Sequence, residues 1–354
     1  MALTINTNIS SLIAQRSLNN ATNAMNTSIE RMSTGYKINH AKDNAAGYSI
    51  ANSWETKLGS LDVAYDNAAT GLDLLTTAEE TYSLLVSHLQ RVRDLTEQAA
   101  NGTYGSQSLK AIQSEVKARL QEVSRISANS EFNGIKLMAY TEGEENADVG
   151  ITSDGINIQV GLYSDENSRI NLSIDLFKNA SVSGLFSAIK ASSEEKCGGK
   201  QLLSTMLNNA TYGTGVNFSG DLNDEVGIET FAAACCNLVY KASSTTGGVT
   251  TPAEYYLQTS ENSGAKEMLG FLDSAINDIS SRITNIGAVQ NRVQSSMTAL
   301  DVQSQNLTSS LSTLRDTDVA EESSTYIQQQ ILQQASATLL STANQLPSIA
   351  LNLV

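Results

Sequence analysis

Two long heptad stripes dominate the hydrophobic pattern of the chain, one in each half. In the first half, side chains at alternating spacings of three and four residues are apolar except for Glu79: Leu58, Leu61, Tyr65, Ala68, Leu72, Leu75, Glu79, Tyr82, Val86 and Leu89. The second half has the same spacing, interrupted only by Gln290 and Ser304: Leu269, Leu272, Ile276, Ile279, Ile283, Ile286, Gln290, Val293, Met297, Leu300, Ser304, Leu307, Leu311 and Leu314. This spacing is typical of coiled coils. Each stripe therefore predicts a long helix.

A shorter amphipathic stretch follows a turn-like break at residues 101–105, which read Asn-Gly-Thr-Tyr-Gly. Its apolar positions are Leu109, Ile112, Val116, Leu120 and Val123. We expect this third helix to fold back on the first one. The second-half helix would be on the order of 70 Å long, whereas a compact chain of this length is only about 50 Å across. The pattern thus predicts an antiparallel rod of long coiled-coil helices.

Between the stripes, the apolar period changes from helical to alternating. Apolar residues alternate on both sides of the polar segment 164–168: Ile156, Ile158, Val160 and Leu162 before it, and Ile170, Leu172, Ile174 and Leu176 after it. This alternation predicts a β-hairpin with one apolar face. From about residue 180 to 264, short apolar clusters lie among Gly, Ser and Asn, which indicates a small outer domain. The predicted fold is mainly α, with the hairpin and the outer domain inserted between the two halves.

Thin apolar stripes mark the two ends of the chain. The residues predicted to mediate self-assembly are Ile5, Ile9, Leu12, Leu18, Met25, Ile29 and Met32 at the N-terminal end, and Leu332, Leu339, Leu346, Ile349 and Leu353 at the C-terminal end. A narrow stripe on one isolated helix is only marginally stable in water. We therefore expect the ends to fold by pairing with each other and with neighbouring copies. A head-to-tail contact that does not close would give a helical filament.

These patterns predict three domains. Residues 1–45 with 320–354 would form a paired-helix polymerisation domain, and residues 46–178 with 265–319 would form the coiled-coil rod with its hairpin. Residues 179–264 would form the outer domain.

Charge and hydropathy argue against nucleic acid and membrane partners. The 354-residue chain has 22 Lys and Arg against 37 Asp and Glu, a formal net charge of −15, whereas contacts to phosphates need clustered basic side chains. No stretch reaches the roughly 18 consecutive apolar residues of a membrane span. Residues 1–8 lack the basic region and apolar core of a secretory signal. We expect any export to use another route.

The sequence contains no arrangement typical of an active site or a metal centre. Its two histidines, His40 and His88, lie in predicted helical segments and form no H-E-x-x-H pair. Its three cysteines form no C-x-x-C motif. Cys235 and Cys236 follow three alanines, and we interpret them as small apolar packing residues. The prediction is a protein that is not an enzyme and has no cofactor or metal.

Several runs of the sequence closely resemble bacterial flagellins. In the N-terminal half they are INTN at residues 5–8, IERMSTGYKIN at 29–39, AKDNAAG at 41–47, LQRVRDL at 89–95 and EFNG at 131–134. In the C-terminal half they are GAVQNR at 287–292, QILQQA at 330–335 and NQLP at 344–347. The resemblance covers about residues 1–178 and 265–354, and the runs occur in the family's order.

The resemblance implies a structural subunit that polymerises through its terminal helices into the extracellular flagellar filament used for motility. It also implies type III export and several partners: further copies of the chain, an export chaperone at the C-terminal segment, and filament cap and junction proteins. Host innate immune receptors are implied as well, because Arg91, Leu95 and Glu115 match positions sensed by a Toll-like receptor. Arg91 and Leu95 are four residues apart, which predicts a shared surface. Packing within the filament is the other interpretation of these positions.

The sequence leaves two other functions open. One is a hook-filament junction or cap-associated protein of the same export system, which would not form long filaments. The other is an adhesin that binds glycans or host molecules through residues 180–264.

Overall fold

Long helices make up most of the described structure. The computed structural model describes residues 8–138, 155–182, 184–185, 232, 235–236 and 264–352, together with four short strands between 238 and 257. The long helices in these residues are α1 (Ile9–Thr34), α2 (Ala45–Ala100), α3 (Ser106–Asn129), α4 (Gly264–Arg315) and α5 (Val319–Asn352). The mainly α fold class predicted from the heptad stripes is confirmed.

The described strands form small antiparallel pairs. β1 (Glu131–Phe132) pairs with β2 (Ile135–Lys136), β3 (Ile156–Gln159) with β4 (Arg169–Leu172), β5 (Leu238–Lys241) with β8 (Glu254–Leu257), and β6 (Ser244–Thr246) with β7 (Val249–Thr251). Asn133 and Gly134 join β1 to β2 with φ values of 50° and 82°. Positive φ at both central residues is the geometry that favours Asn-Gly in two-residue hairpins.

The described part of the chain forms two compact units, residues 1–63 with 300–354 and residues 64–299. The predicted division into three domains stays a prediction, since most of residues 179–264 lie outside the described residues. In the 64–299 unit, one hydrophobic core joins α2, α3, α4 and the β3–β4 hairpin. Its fully buried side chains include Leu75, Leu85, Leu120, Leu172 and Leu272.

Most positions of the two heptad stripes are buried or half-buried, as predicted. The exception is Tyr65, which is 43% exposed, while its neighbour Ala64 is buried. The buried positions here are Leu61, Ala64 and Ala68, so the step of three residues comes before the step of four, and the small Ala64 faces the core. The inclusion of Tyr65 in the buried stripe was therefore wrong.

The predicted hairpin is present but shorter than the alternating pattern. Ile158 pairs with Ile170, and both side chains are buried in the core. Ile174 and Leu176, predicted as strand residues, instead belong to a 3-10 turn. The Ser173 hydroxyl accepts a hydrogen bond from the backbone N–H of Asp175 at 3.3 Å and caps this turn. Such local side-chain bonds compete with strand pairing.

The hairpin packs against α2 at Gly71. A Cβ atom at this position would clash with Cδ1 of Ile158 and would lie 3.1 Å from its Cγ1. Gly71 is buried in the middle of a helix, where glycine is usually unfavourable. Its role is therefore to leave room for Ile158.

Substituting Gly71→Ala is expected to lower the free energy of unfolding by about 1 to 2 kcal/mol, because the added methyl group displaces Ile158. Gly59→Ala is the matched control in α2, since no atom lies within 4 Å of a Cβ there. The control should stabilise the helix by up to about 1 kcal/mol. Urea titration followed by circular dichroism measures both effects. Equal stability of the two variants would show that Ile158 does not require the glycine.

Candidate self-assembly interface

The first and last long helices, α1 and α5, pack against each other in antiparallel orientation. Their Cα atoms approach within 8 Å along the pair. At one end, the Asn8 side chain donates to the carbonyl of Ala343 at 2.7 Å. In the middle, the Gln333 amide donates to the Thr22 hydroxyl at 3.0 Å. The predicted pairing of the two chain ends is thus present within a single subunit.

Small side chains form the buried part of this contact. Ala14, Ala21 and Ser28 of α1 are buried at seven-residue spacing, and Ser336 and Ala343 of α5 are buried with the same spacing. Small residues at an interface allow two helix backbones to come close together. The sequence reasoning missed all five, because Ala and Ser add little to a hydrophobic stripe. Their heptad spacing was the available signal.

A partly buried charged contact lies at the other end of the pair. The Arg31 guanidinium lies 3.7 Å from the Glu322 carboxylate, and Glu322 is the one buried acidic residue among the described residues. Glu322 lies in the first turn of α5, where the helix dipole stabilises a negative charge. The arginine and the helix terminus together compensate the burial of this carboxylate.

The connections α1–α2 and α4–α5 are joined by backbone pairing next to this contact. The backbone N–H of Lys37 donates to the Arg315 carbonyl at 2.7 Å, and that of Thr317 donates to the Gly35 carbonyl at 2.9 Å. The Arg315 guanidinium lies over the Tyr36 ring at 4.1 Å from its centroid. Gly35 has φ 77°, a left-handed value that ends α1 and favours glycine. The two chain connections therefore fix the position of α1 relative to α5.

The predicted self-assembly residues fall into three groups in the structure. Leu18, Met25 and Met32 are half-buried. The side chains exposed to solvent are Ile9, Leu12, Ile29, Leu332 and Leu339. The side chains of Ile5, Leu346, Ile349 and Leu353 lie outside the described residues. Four further large apolar residues of these two helices are also exposed and were not predicted: Ile13, Val319, Ile327 and Ile331.

The predicted receptor surface is only partly exposed. Arg91 of α2 and Glu115 of α3 form an exposed two-point contact, with Nε to Oε1 at 3.0 Å and Nη2 to Oε2 at 3.4 Å. Leu95 is only 3% exposed and belongs to the hydrophobic core. The expectation that Leu95 shares a surface with Arg91 is therefore wrong. Side chains four residues apart are offset by about 40° around the helix axis, and this offset is enough to place Leu95 in the core while Arg91 stays exposed.

The cysteine pair is part of the core of the 64–299 unit. Cys235 and Cys236 are both fully buried. Burial raises the pKa of the Cys235 thiol to about 12, and the thiol also contacts the Thr96 side chain. A buried thiol with a raised pKa is chemically inert. Cys197 lies outside the described residues.

The described residues contain no group of three His, Cys, Asp or Glu side chains that could hold a metal ion. None of the helices in the described ranges is long and apolar enough to cross a membrane.

Both ends of the chain match a known protein family. Residues 5–142 match the bacterial flagellin N-terminal helical region, and residues 269–354 match the bacterial flagellin C-terminal helical region. The chain is 33% identical to polar flagellin F and 32% identical to polar flagellin A of Vibrio parahaemolyticus. It is 32% identical to flagellin B of Vibrio cholerae. Each of these alignments covers the whole of both chains.

Proposed function

Because this chain belongs to the bacterial flagellin family, and so is a structural subunit of the flagellar filament and not an enzyme, we propose that its α1–α5 pair drives polymerisation. One observation carries the proposal. Small residues form the buried contact within the chain, while several large apolar side chains of the pair, such as Ile9, Ile331 and Leu339, remain exposed. A soluble subunit that exposes such side chains on paired helices has surfaces suited to contact with further copies.

The energetics support polymerisation through these side chains. Full burial of one Ile or Leu side chain is worth roughly 1.5 to 3 kcal/mol. Among the exposed large apolar residues of the described chain, Ile9, Ile13, Ile331 and Leu339 each expose about 60% of their surface. Neighbouring subunits that cover these side chains would gain several kcal/mol for each contact. This gain is available only after assembly.

Export and the remaining partners are proposed from the family resemblance. The chain would leave the cell through the flagellar type III apparatus, with a chaperone on its C-terminal segment, and would assemble outside the cell next to cap and junction proteins. Host innate immune receptors would contact the exposed pair of Arg91 and Glu115. The buried Leu95 would act only by supporting α2 beneath Arg91.

The alternative of a junction or cap-associated protein is not favoured. The relatives that match over the whole chain are named flagellins, and a junction protein would not need to form long filaments. The adhesin alternative rests on residues 180–264, most of which lie outside the described residues.

The test is a triple substitution on α5, Ile327→Gln with Ile331→Gln and Leu339→Gln. All three side chains are exposed, so the variant should keep the helix content of the wild-type chain in circular dichroism. Purified chain seeded with filament fragments should then fail to elongate in electron micrographs. The matched control, Ile327→Leu with Ile331→Leu and Leu339→Ile, keeps the apolar area and should still elongate. Normal filaments from the Gln variant would contradict polymerisation through α5.

A further inference from the structure

A proline removes one backbone hydrogen bond from the interior of α5. The helix is continuous from Val319 to Asn352, and Pro347 is the one proline within it. Proline has no backbone N–H, and in an α-helix the N–H of each residue donates to the carbonyl four residues before it. The Ala343 carbonyl therefore has no donor at its usual helical position. Because Ala343 is only 7% exposed, this carbonyl needs a partner from elsewhere in the chain.

The Asn8 side chain supplies the missing donor from the other helix. Its Nδ2 donates to the Ala343 carbonyl at 2.7 Å, while its Oδ1 accepts from the backbone N–H of Ser11 at 3.0 Å and caps the start of α1. An amide offers both a donor and an acceptor, and these two hydrogen bonds use one of each. Aspartate and serine cap helices about as well as asparagine. An aspartate has no N–H to donate, however, and a serine is too short to reach from the cap to the second helix.

This contact lies at the end of the pair that is remote from the chain connections. About 40 Å of helix separates Asn8 from Gly35, where backbone pairing joins the connections. Between them, the small buried residues repeat every seven positions on both helices, so they would pack equally well after a shift of seven residues. A carbonyl freed by proline occurs at one position in α5. Seven residues earlier, the Ser336 carbonyl has the N–H of Leu340 as its helical donor. Asn8 thus distinguishes one alignment of the two helices from the next.

We propose that Asn8 and Pro347 act together, here called the Asn8–Pro347 lock, to hold the remote end of the α1–α5 pair in the alignment that assembles. The inference rests on the proposed polymerisation through this pair. Pro347 leaves a carbonyl open, and Asn8 is the positioning residue that closes it. The bond forms only when the two helices of one subunit are aligned. Ser11 strengthens the same end, since its hydroxyl donates to the Asn344 side chain at 2.7 Å.

A double-substitution cycle tests whether the two residues act together. Asn8→Ser keeps the cap on α1 and removes the donor to α5, so it should raise the critical concentration for seeded polymerisation about tenfold. Pro347→Ala restores the backbone N–H, and the Ala343 carbonyl regains a helical partner. In that background, Asn8→Ser should raise the critical concentration less than about threefold, because no carbonyl is left unpaired. Sedimentation of the filaments measures the subunit left in solution for each chain.

The matched control is Gln333→Ala, which removes another hydrogen bond between the two helices, from Gln333 to Thr22. This site is about 20 Å along α5 from Pro347, so its effect should be the same with and without Pro347→Ala. If Asn8→Ser raises the critical concentration by the same factor in both backgrounds, or in neither, the Asn8–Pro347 lock is overturned. Polymerisation through the apolar side chains of α5 would still stand, because the triple Gln substitution tests it separately.

Hydrogen exchange gives a measurement that needs only Asn8→Ser. In filaments of this variant, the backbone amides of residues 9–14 and 340–345 should exchange about tenfold faster than in wild-type filaments, because the remote end of the pair opens more often. The amides of residues 22–28 and 326–333, nearer the chain connections, should exchange as in the wild-type chain. Unchanged exchange at residues 9–14 would overturn the proposal, even if chains with Pro347→Ala did not assemble.

Discussion

Substituting Arg282→Ala is expected to lower the free energy of unfolding of the 64–299 unit by about 2 to 3 kcal/mol, because it removes the buried guanidinium at the centre of a hydrogen-bond network. Arg282 is only 6% exposed. Its Nη1 donates to the Lys178 carbonyl at 2.8 Å and its Nη2 to the Asp278 carboxylate at 2.6 Å. Without it, the Lys178 carbonyl loses a charged donor, and the Asp278 carboxylate, which is 42% exposed, loses its counterion.

Tyr82 completes the network. Its hydroxyl donates to the Leu176 carbonyl at 2.8 Å, and the Arg282 guanidinium lies 5.9 Å from the centre of its ring. Burial raises the pKa of Tyr82, so the hydroxyl remains a donor at neutral pH. Arg282 and Tyr82 together hold the segment 176–178, which directly follows the β3–β4 hairpin.

The matched control for Arg282 is Arg93→Ala. Arg93 forms an ion pair with Asp273 between α2 and α4, but both side chains are more than a third exposed. An exposed ion pair contributes little to stability, because water screens its charges. Urea unfolding followed by circular dichroism measures both losses. A loss for Arg282→Ala no larger than that for Arg93→Ala would contradict the role given to burial.

Substituting Gln290→Leu is expected to destabilise the α2–α4 contact by about 2 kcal/mol, because it leaves the Glu79 carboxylate half-buried and unpaired. The Gln290 amide donates to Glu79 Oε2 at 2.8 Å. Apolar residues surround this bond along both helices, since Ala78, Ile286 and Val293 are fully buried. A polar pair in an apolar seam specifies the register of a coiled coil.

The double substitution Glu79→Leu with Gln290→Leu separates stability from register. It should recover the stability lost in Gln290→Leu, since an apolar pair replaces a polar one without leaving either group unpaired. It should also permit α2 and α4 to slip by one heptad, about 10 Å along the axis. Spin labels attached through unnatural amino acids at Ser83 and Gln294, both exposed, measure this as a second distance population. A single distance in the double variant would show that other contacts fix the register.

Sequence periodicity was sufficient to predict where the long helices lie, and it also identified Glu79 and Gln290 as the polar interruptions of two apolar stripes. It could not show that these two side chains contact each other. Periodicity reports which residues share a face of one helix, whereas a contact between residues 211 positions apart depends on how two helices align. The register of α2 against α4 can be determined only from the folded structure.

For the α1–α5 interface too, the sequence predicted one part and the structure showed the rest. The terminal stripes predicted that the chain ends need partners, and the pairing of α1 with α5 agrees with that expectation. The small residues that form the contact, Ala14 and Ala21 among them, gave almost no hydrophobic signal. Ile9 and Leu12 gave a strong one and are exposed. Hydrophobicity alone does not indicate which apolar residues pack within a chain and which remain for another copy.

Arg91 and Leu95 show that sequence spacing does not predict burial even for residues one helix turn apart. Their spacing places them on neighbouring faces of α2, and that much is fixed by helix geometry. The burial of Leu95 and the pairing of Arg91 with Glu115 depend on the positions of α3 and α4 beside α2. The sequence by itself determined the helices, the hairpin, the absence of an active-site motif and the family. Tertiary packing decided which face of each helix is covered, because coverage depends on contacts between segments far apart in the chain.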